Sequence, residues 1–292
     1  MKTTNSRQVF STAGFGWQAA GLMLSLCLFS AGILAAEKAR TRTAQDEAAS
    51  KSSRGRSVGQ GTRSSLDAAL KYAEASRQAL QEVQDYTADF SKVEQIEGRV
   101  IEGAMDLKFR EKPFSVKLRC RSKADAGREV IYVAGENDGN LIVREAGLKS
   151  IIGAIELAAD DPRVKADNRR PITEIGMSRM LELETALWRA DRDTDPANVE
   201  VTFFSGAKVG DLECEGFELK HLTNKSKEQF ALTRIYFDCR TKFPVQVEHF
   251  DGAGPNDPEL ALVEKYTYTD IKTNVGLGES DFDRHNSGKR RN

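Results

Sequence analysis

Apolar and polar residues alternate along most of the chain after residue 85. In the segment 99–111, apolar side chains occupy every second position and charged side chains lie between them, and the segment 112–121 repeats the pattern. A period of two residues is typical of a strand that buries one face, and sheets with one solvated face are usually antiparallel. The pattern predicts one antiparallel sheet of about nine or ten strands joined by hairpins, and a sheet with so many strands tends to curl.

Two stretches have a helical period instead. From Ser64 onward, apolar residues recur at gaps of three, four and seven, which predicts an N-terminal helix. The segment 146–193 interrupts the strands: its first part, Leu148–Leu157, is predicted to be a short amphipathic helix or a lid, and a longer helix begins near Pro171. The predicted fold class is therefore α+β, a strongly curved antiparallel sheet with an N-terminal helix and central helices that cover its concave face.

The longer central helix has an apolar flank with two interpretations. In the first, the helix closes the open side of the sheet and its side chains are core. In the second, flexible methionines and a tryptophan line an adaptable apolar cavity. The residues concerned are Met177, Met180, Leu181 and Trp188.

The N-terminal segment 1–36 has the pattern of an export signal. Lys2 and Arg7 precede an apolar run, Gly21–Ala36, that ends in small residues. The run is shorter than the roughly 20 residues of a spanning helix. Cleavage after Ala36 and an uncleaved membrane anchor remain alternatives. In both cases the protein is exported to the periplasm or cell envelope, and any membrane association runs through this segment alone.

Composition divides the rest of the chain. Residues 37–63 hold one valine and no aromatic residue, which predicts a disordered linker. Residues 64–284 are predicted to form the sheet domain with its helical insert at about 146–193, and 285–292 form a basic tail. The 43 Lys and Arg residues nearly balance the 44 Asp and Glu residues, which argues against nucleic acid as a partner.

Three cysteines follow the signal, an odd number for an oxidising compartment. Cys214 and Cys239 fall on two predicted strands, and folding that hairpin about Ser226 places Cys214 roughly opposite Cys239. A cross-strand disulfide is one interpretation, and two buried thiols are the other. Cys120 lies on the apolar side of its strand, which favours a buried core thiol.

The chain carries no recognisable catalytic or metal-binding motif. Its three histidines, His221, His249 and His285, are not spaced as ligands, and no nucleophile elbow, phosphate loop or zinc motif occurs. We therefore expect a protein that is not an enzyme and that uses neither a cofactor nor a metal ion.

Three short motifs, in order, resemble a known superfamily. They are Lys108–Phe114, Lys242–Val245 and Tyr268–Phe282. Together with the leading helix, they resemble the periplasmic outer-membrane lipoprotein carrier superfamily, and more narrowly an uncharacterised family of exported bacterial domains. The resemblance covers about residues 65–282. The chain departs from the outline of the superfamily in two places: the long central insert, and the pair Cys214 and Cys239.

The resemblance implies a half-open β-barrel whose helices cover an apolar cavity for acyl chains. It carries over no catalytic residues, and it gives the cavity only as one face of two strands: Met105, Leu107, Phe109, Phe114, Val116 and Leu118. The implied function is an exported binding protein that holds a lipid or lipoprotein acyl chain. The alternative is an envelope structural or interaction protein with a self-filled core, no small ligand and a protein partner.

Overall fold

The computed structural model describes residues 56–60, 63–123, 125–147, 151, 153–223, 230–252 and 259–283. All of them belong to one unit of the chain, Thr43–Asn292. The predicted signal segment, most of the predicted linker and the basic tail lie outside the described residues.

Within the described residues, twelve strands form one sheet in which each paired neighbour is antiparallel. The strands are β1 Arg56–Gln60, β2 Asp85–Ile96, β3 Arg99–Arg110, β4 Ser115–Cys120, β5 Glu129–Val133, β6 Leu141–Arg144, β7 Ala154–Leu157, β8 Val199–Val209, β9 Leu212–His221, β10 Leu232–Asp238, β11 Pro244–Gly252 and β12 Leu260–Thr273. Their spatial order is β1-β8-β9-β10-β11-β12-β2-β3-β4-β5-β6-β7.

The sheet is built from two runs of hairpins, β2 to β7 and β8 to β12. The last strand, β12, joins them by pairing with β2, with Tyr268 opposite Phe90. With 14 residues β12 is longer than its neighbours in the sheet. The motif Tyr268–Phe282 therefore begins at the centre of the sheet.

Four α-helices accompany the sheet in the described residues: α1 Arg63–Gln81, α2 Pro162–Lys165, α3 Met177–Thr194 and α4 Glu279–Phe282. Short 3-10 turns occur at Asn137–Gly139, Ile172–Glu174 and Pro196–Asn198. The two long helices, α1 and α3, pack against each other.

Helix α3 crosses the strands. The residue before it, Gly176, contacts Phe109 of β3; Glu184 in its middle meets His249 of β11; and Asp191 near its end meets His221 of β9. An 18-residue helix is about 27 Å long. The five strand spacings from β9 to β3 span about 24 Å, so α3 reaches across all six strands.

One core cluster contains residues of α1, α3 and strands from both halves of the sheet. Its members Val199 of β8 and Leu141 of β6 lie nine strand positions apart. On a flat sheet that separation would be about 43 Å. The sheet therefore curves around the two helices, and the predicted fold class is confirmed.

Two segments differ from prediction. Arg56–Gln60, inside the predicted linker, forms β1 because its backbone pairs with the edge strand β8. Ala154–Leu157, inside the predicted helix Leu148–Leu157, forms β7 by pairing with β6. Gly153 precedes it with φ of +80°, a conformation outside the helix, so the helical period that the apolar residues suggest is broken there.

The predicted disulfide is not formed, and Cys120, Cys214 and Cys239 are free thiols. The hairpin pairs Cys214 with Asp238, one residue short of Cys239. A shift of one residue sends a side chain to the other face. Consequently Cys214 is buried and Cys239 is exposed. Cys120 packs half-buried against the core, on the side of the strand where it was predicted.

The segment after β12 is fastened to the outer face of the sheet. Asp85 accepts hydrogen bonds from the backbone N–H groups of Val275 and Gly276 through one carboxylate oxygen. Phe282 of α4 is buried in a small apolar cluster with side chains of β5 and β6, and the Arg110 guanidinium lies 4.8 Å from the centre of its ring. Phe282, the last residue of the motif Tyr268–Phe282, thus anchors the end of the domain.

Candidate functional site

All ten predicted cavity residues lie in the same cluster on the concave face. Nine are buried and Phe114 is half-buried at the margin. Cross-strand pairs set the sheet side of the cluster, with Leu107 opposite Leu118 and Phe109 opposite Val116. Helix α3 supplies the other side through Met177, Met180, Leu181 and Trp188. Whether these residues receive a ligand remains a prediction.

Among the described residues, side chains of the sheet and of the two long helices fill the concave face. A cavity of about 10 Å³ lies beside the second half of α3, where Leu187 and Trp188 face Leu219 and Phe230. Pockets for small molecules measure about 300–1,000 Å³, and a single water needs about 10–15 Å³. An acyl chain therefore requires a rearrangement of α3 against the sheet.

Two tyrosines hold the beginning of α3. The helix has no side-chain cap, because its N-cap residue is Gly176. Instead, the N–H of Gly176 donates to the Tyr268 hydroxyl and the N–H of Met177 donates to the Tyr86 hydroxyl, each at 3.0 Å. These bonds satisfy backbone donors that a buried helix start would otherwise leave unpaired.

A row of charged side chains crosses the concave face beside the apolar cluster. Glu94 of β2, Glu264 of β12 and His249 of β11 occupy facing positions on three adjacent strands. All three are almost completely buried. Two carboxylates directly opposite each other repel, so this arrangement needs compensating cations.

The compensating cations come mainly from the loop before α3. Arg170 donates to Glu264 at 2.5 and 2.9 Å, and Arg169 donates to the other oxygen at 3.0 Å. Lys92 donates to Glu94 at 2.5 Å. Burial disfavours the charged form of Glu264, but its contacts with His249 and Arg170 outweigh burial and hold its pKa at about 2.

His249 connects the sheet to α3. Its Nε2 lies 3.0 Å from Glu184 of the helix, and its Nδ1 lies 3.0 Å from Glu264. Neither N–H points along the line to its oxygen, so these contacts are ion pairs more than aligned hydrogen bonds. Burial would lower the pKa of His249, yet the two carboxylates outweigh burial and raise it to about 9. Phe230 stacks on the imidazole at 4.2 Å between ring centres.

A second histidine makes a similar contact two helical turns further along. His221 Nε2 donates to Asp191 of α3 at 3.1 Å, and Nδ1 donates to the carbonyl of Phe230 at 2.7 Å. Both partners are acceptors, so both ring nitrogens carry a proton. Burial opposes this charge, but the Asp191 carboxylate outweighs it and raises the pKa of His221.

This charged row was not predicted from the sequence, although one pattern indicated buried charges on the strands. Glu264 shares strand parity with Tyr266 and Tyr268, which are both buried, and Glu94 shares parity with Phe90. A charged residue at an apolar position of a strand predicts a buried charge that needs a partner. The contact between Glu184 and His249 joins residues 65 positions apart, and the contact between Arg169 and Glu264 joins residues 95 positions apart. The alternation pattern gives no information about contacts at such separations.

Among the described residues, none of the helices combines the length and the apolar character that crossing a bilayer requires. In the same part of the chain, no cluster of His, Cys, Asp or Glu side chains has an arrangement that would hold a metal ion.

The structure thus defines a class of protein: an open, curved antiparallel sheet whose concave face is covered by helices. The sequence of residues 83–290 matches the profile of DUF1571, described as a protein family of unknown function. Because the match spans most of the chain, the protein belongs to this family, which confirms the prediction of an uncharacterised domain family. No curated protein matches the sequence.

Several solved structures are similar in fold. The Mycobacterium tuberculosis lipoprotein LppX has 11% identity and a TM-score of 0.42, with 74% of this chain and 99% of that chain covered. A putative outer membrane lipoprotein-sorting protein domain from Vibrio parahaemolyticus has 11% identity and a TM-score of 0.35, over 75% and 97%. A LolA superfamily protein from Nitrosomonas europaea has 9% identity and a TM-score of 0.31, over 74% and 97%. Likenesses this distant carry no ligand or activity to the present chain.

Proposed function

We propose that this protein is an exported, non-catalytic binding protein that holds a lipid or lipoprotein acyl chain between α3 and the concave face of the sheet. The observation that carries the proposal is the continuous apolar surface that the sheet shares with α1 and with α3, the helix that crosses its strands. Met177 and Met180 lie at this interface, and methionine side chains adapt readily to a new neighbour.

The free energy gained by burying an acyl chain is similar in size to the free energy lost by separating α3 from the sheet. Burying one CH₂ group contributes about 0.8 kcal/mol, so an acyl chain of about 16 carbons gains roughly 12 kcal/mol. Exposing the four buried apolar side chains of α3 named above costs about 6–12 kcal/mol, at about 1.5–3 kcal/mol each. The gain from burying the acyl chain can therefore offset the cost of separating α3 from the sheet.

We also propose that residues 1–36 act as the export signal or as an anchor, and that the chain works in the periplasm or cell envelope. The proposal rests on the charged, apolar and small-residue order of that segment. Membrane association then depends on whether the segment is retained.

The small cavity favours a second candidate. At about 10 Å³ it leaves no room for an acyl chain, as expected of an envelope structural or interaction protein whose own helices fill the sheet. That protein would bind an envelope partner through its outer surface and no small ligand.

Mass spectrometry of lipid extracted from the full-length protein, isolated from its native envelope fraction, separates the two candidates. The binding function predicts an acyl-bearing lipid in near-stoichiometric amount, and its absence would favour the self-filled protein. Met180→Lys should abolish the association because it places a charge on the apolar side of α3. The matched control Ala186→Lys, at an exposed position of the same helix, should retain the lipid.

A further inference from the structure

The two described histidines both contact the same helix. Glu184 and Asp191 are seven residues apart on α3, so they lie on one face of the helix two turns apart. Glu184 meets His249 of β11, and Asp191 meets His221 of β9. All four side chains are at least nine-tenths buried. Such a coincidence on the buried face of one helix points to a role in holding that helix.

We propose that these two histidine–carboxylate pairs are a protonation-dependent latch, which holds α3 on the sheet when both histidines are charged and releases it when they lose their protons. This inference rests on the proposed function, because it names what controls access to the same concave face. It concerns only the docking of α3, so it can fail while acyl binding is still observed.

The surroundings of His249 make its proton essential to the contact. Glu184 approaches from α3 and Glu264 from β12, and Arg169 and Arg170 bind the far side of Glu264. Glu94 and Lys92 of β2 and the Tyr266 hydroxyl complete the row. A neutral imidazole would leave two buried carboxylates facing one ring with a single proton, and Glu184 would lose its cation.

Glu184 is the member of the row with the fewest partners. Its second oxygen, Oε2, is buried and makes no hydrogen bond within the described part of the chain. Arg170 lies near Glu184, but it donates its hydrogen bonds to Glu264 and Glu174. The middle of α3 therefore depends on His249 for its contact with the sheet through Glu184. Glu264 depends on His249 less, because it also accepts hydrogen bonds from Arg169 and Arg170.

The surroundings of His221 lead to the same conclusion. Asp191 of α3 accepts from one nitrogen and the Phe230 carbonyl accepts from the other, so loss of a proton removes one of the two bonds. The first turn of α3, in contrast, is held by tyrosine hydroxyls that accept hydrogen bonds from backbone N–H groups without a change of charge. Release should thus begin in the second half of the helix.

The direction of the pH effect follows from these contacts. A histidine whose pKa is raised by folding contributes its full stabilisation below its unfolded pKa of about 6.5. That stabilisation is lost as the pH rises through the folded value, which is about 9 for His249. Glu264, with a folded pKa of about 2, stays charged throughout this range. Helix α3 should therefore loosen as the solution becomes alkaline.

Amide hydrogen exchange of the full-length protein tests the latch at about pH 6 and about pH 9.5, corrected for the intrinsic rate of exchange. Protection in residues 181–191 should fall at least about tenfold at the higher pH, the factor for one pKa unit, while β2 stays protected. Equal protection of α3 at both pH values would overturn the proposal, as would a parallel loss in β2.

Glu184→Gln removes the charge and keeps the shape, so its α3 should already exchange faster at about pH 6 and lose most of its dependence on pH. Glu218→Gln is the control, because Glu218 pairs with Arg234 away from α3. A proton NMR titration of the wild-type protein avoids any variant that could fail to fold. The resonances of His221 and His249 should titrate with midpoints above the ordinary histidine pKa, and midpoints at or below about 6.5 would overturn the latch.

Discussion

Gly176 is the position where the helical layer comes nearest to the sheet. Its φ is +131°, a backbone angle that residues other than glycine rarely adopt. A Cβ atom built at Gly176 would lie 2.5 Å from Cε2 of Phe109. Phe109 is itself buried and stacked on Tyr86, so the ring has little freedom to move away. The glycine therefore permits both the entry of the chain into α3 and the close contact with β3.

We expect Gly176→Ala to destabilise the fold by about 3 kcal/mol or more, since backbone strain of about 1–3 kcal/mol adds to the clash with Phe109. Gly98→Ala is the matched control, because Gly98 also has a positive φ, +75°, but no atom within 4 Å of the added Cβ. Urea unfolding of both variants would measure the difference. Equal losses would mean that the close approach to Phe109 has no energetic weight.

At the same scale, alternation in the sequence predicted which residues face inward. Met105, Leu107 and Phe109 lie on the concave face as their two-residue spacing requires. The disulfide prediction failed because it needed the hairpin register to within one residue, and ten residues separate β9 from β10, too many for their sequence to determine that register. The ion pairs of His249 could not be predicted, since they join residues distant in sequence.

At the scale of the element, α3 has an unusual start for a buried helix. Its first donors bind two tyrosine hydroxyls from β2 and β12, where most helices use their own N-cap side chain. The hydroxyls project from neighbouring strands, so the helix start is fixed relative to the centre of the sheet.

The double variant Tyr86→Phe/Tyr268→Phe should lower the free energy of unfolding by about 2–6 kcal/mol, since each buried N–H left without a partner costs about 1–3 kcal/mol. Tyr132→Phe serves as the control, because Tyr132 is only half-buried and contacts Phe114 edge to face. Chemical denaturation checks both. If the double variant is as stable as the control, the tyrosines do not hold the helix.

The elements themselves were predicted unevenly from sequence. Both long helices and the hairpins of β3, β4 and β8 to β11 follow from periodicity, because each pattern is local. The strands β1 and β7 were missed, since a short polar or mixed segment becomes a strand only when an unpaired edge lies beside it. The same limit applies to the central pairing of β12 with β2, which joins residues some 170–190 positions apart.

At the scale of the molecule, the curved sheet packs against α1 and α3 around a shared apolar core. The family match starts at residue 83 and so includes β2 to β12 and α3, while α1 and β1 precede it. The predicted curved sheet follows from strand number and alternation alone. What fills its concave side does not follow from them, because an apolar face can be covered by a helix or by a ligand with the same gain from burial.

Contact between an acyl chain and Trp188 tests the central claim most directly. Trp188 is buried on the concave side of α3, and replacing the other tryptophan, Trp17→Phe, leaves it as the sole indole reporter. A fatty acid brominated along its chain quenches an indole that it touches. The account predicts saturable quenching of Trp188 in the full-length protein at about one fatty acid per chain, reversed by the unbrominated acid. Trp188 emission that stays unchanged at all concentrations below micelle formation would contradict it.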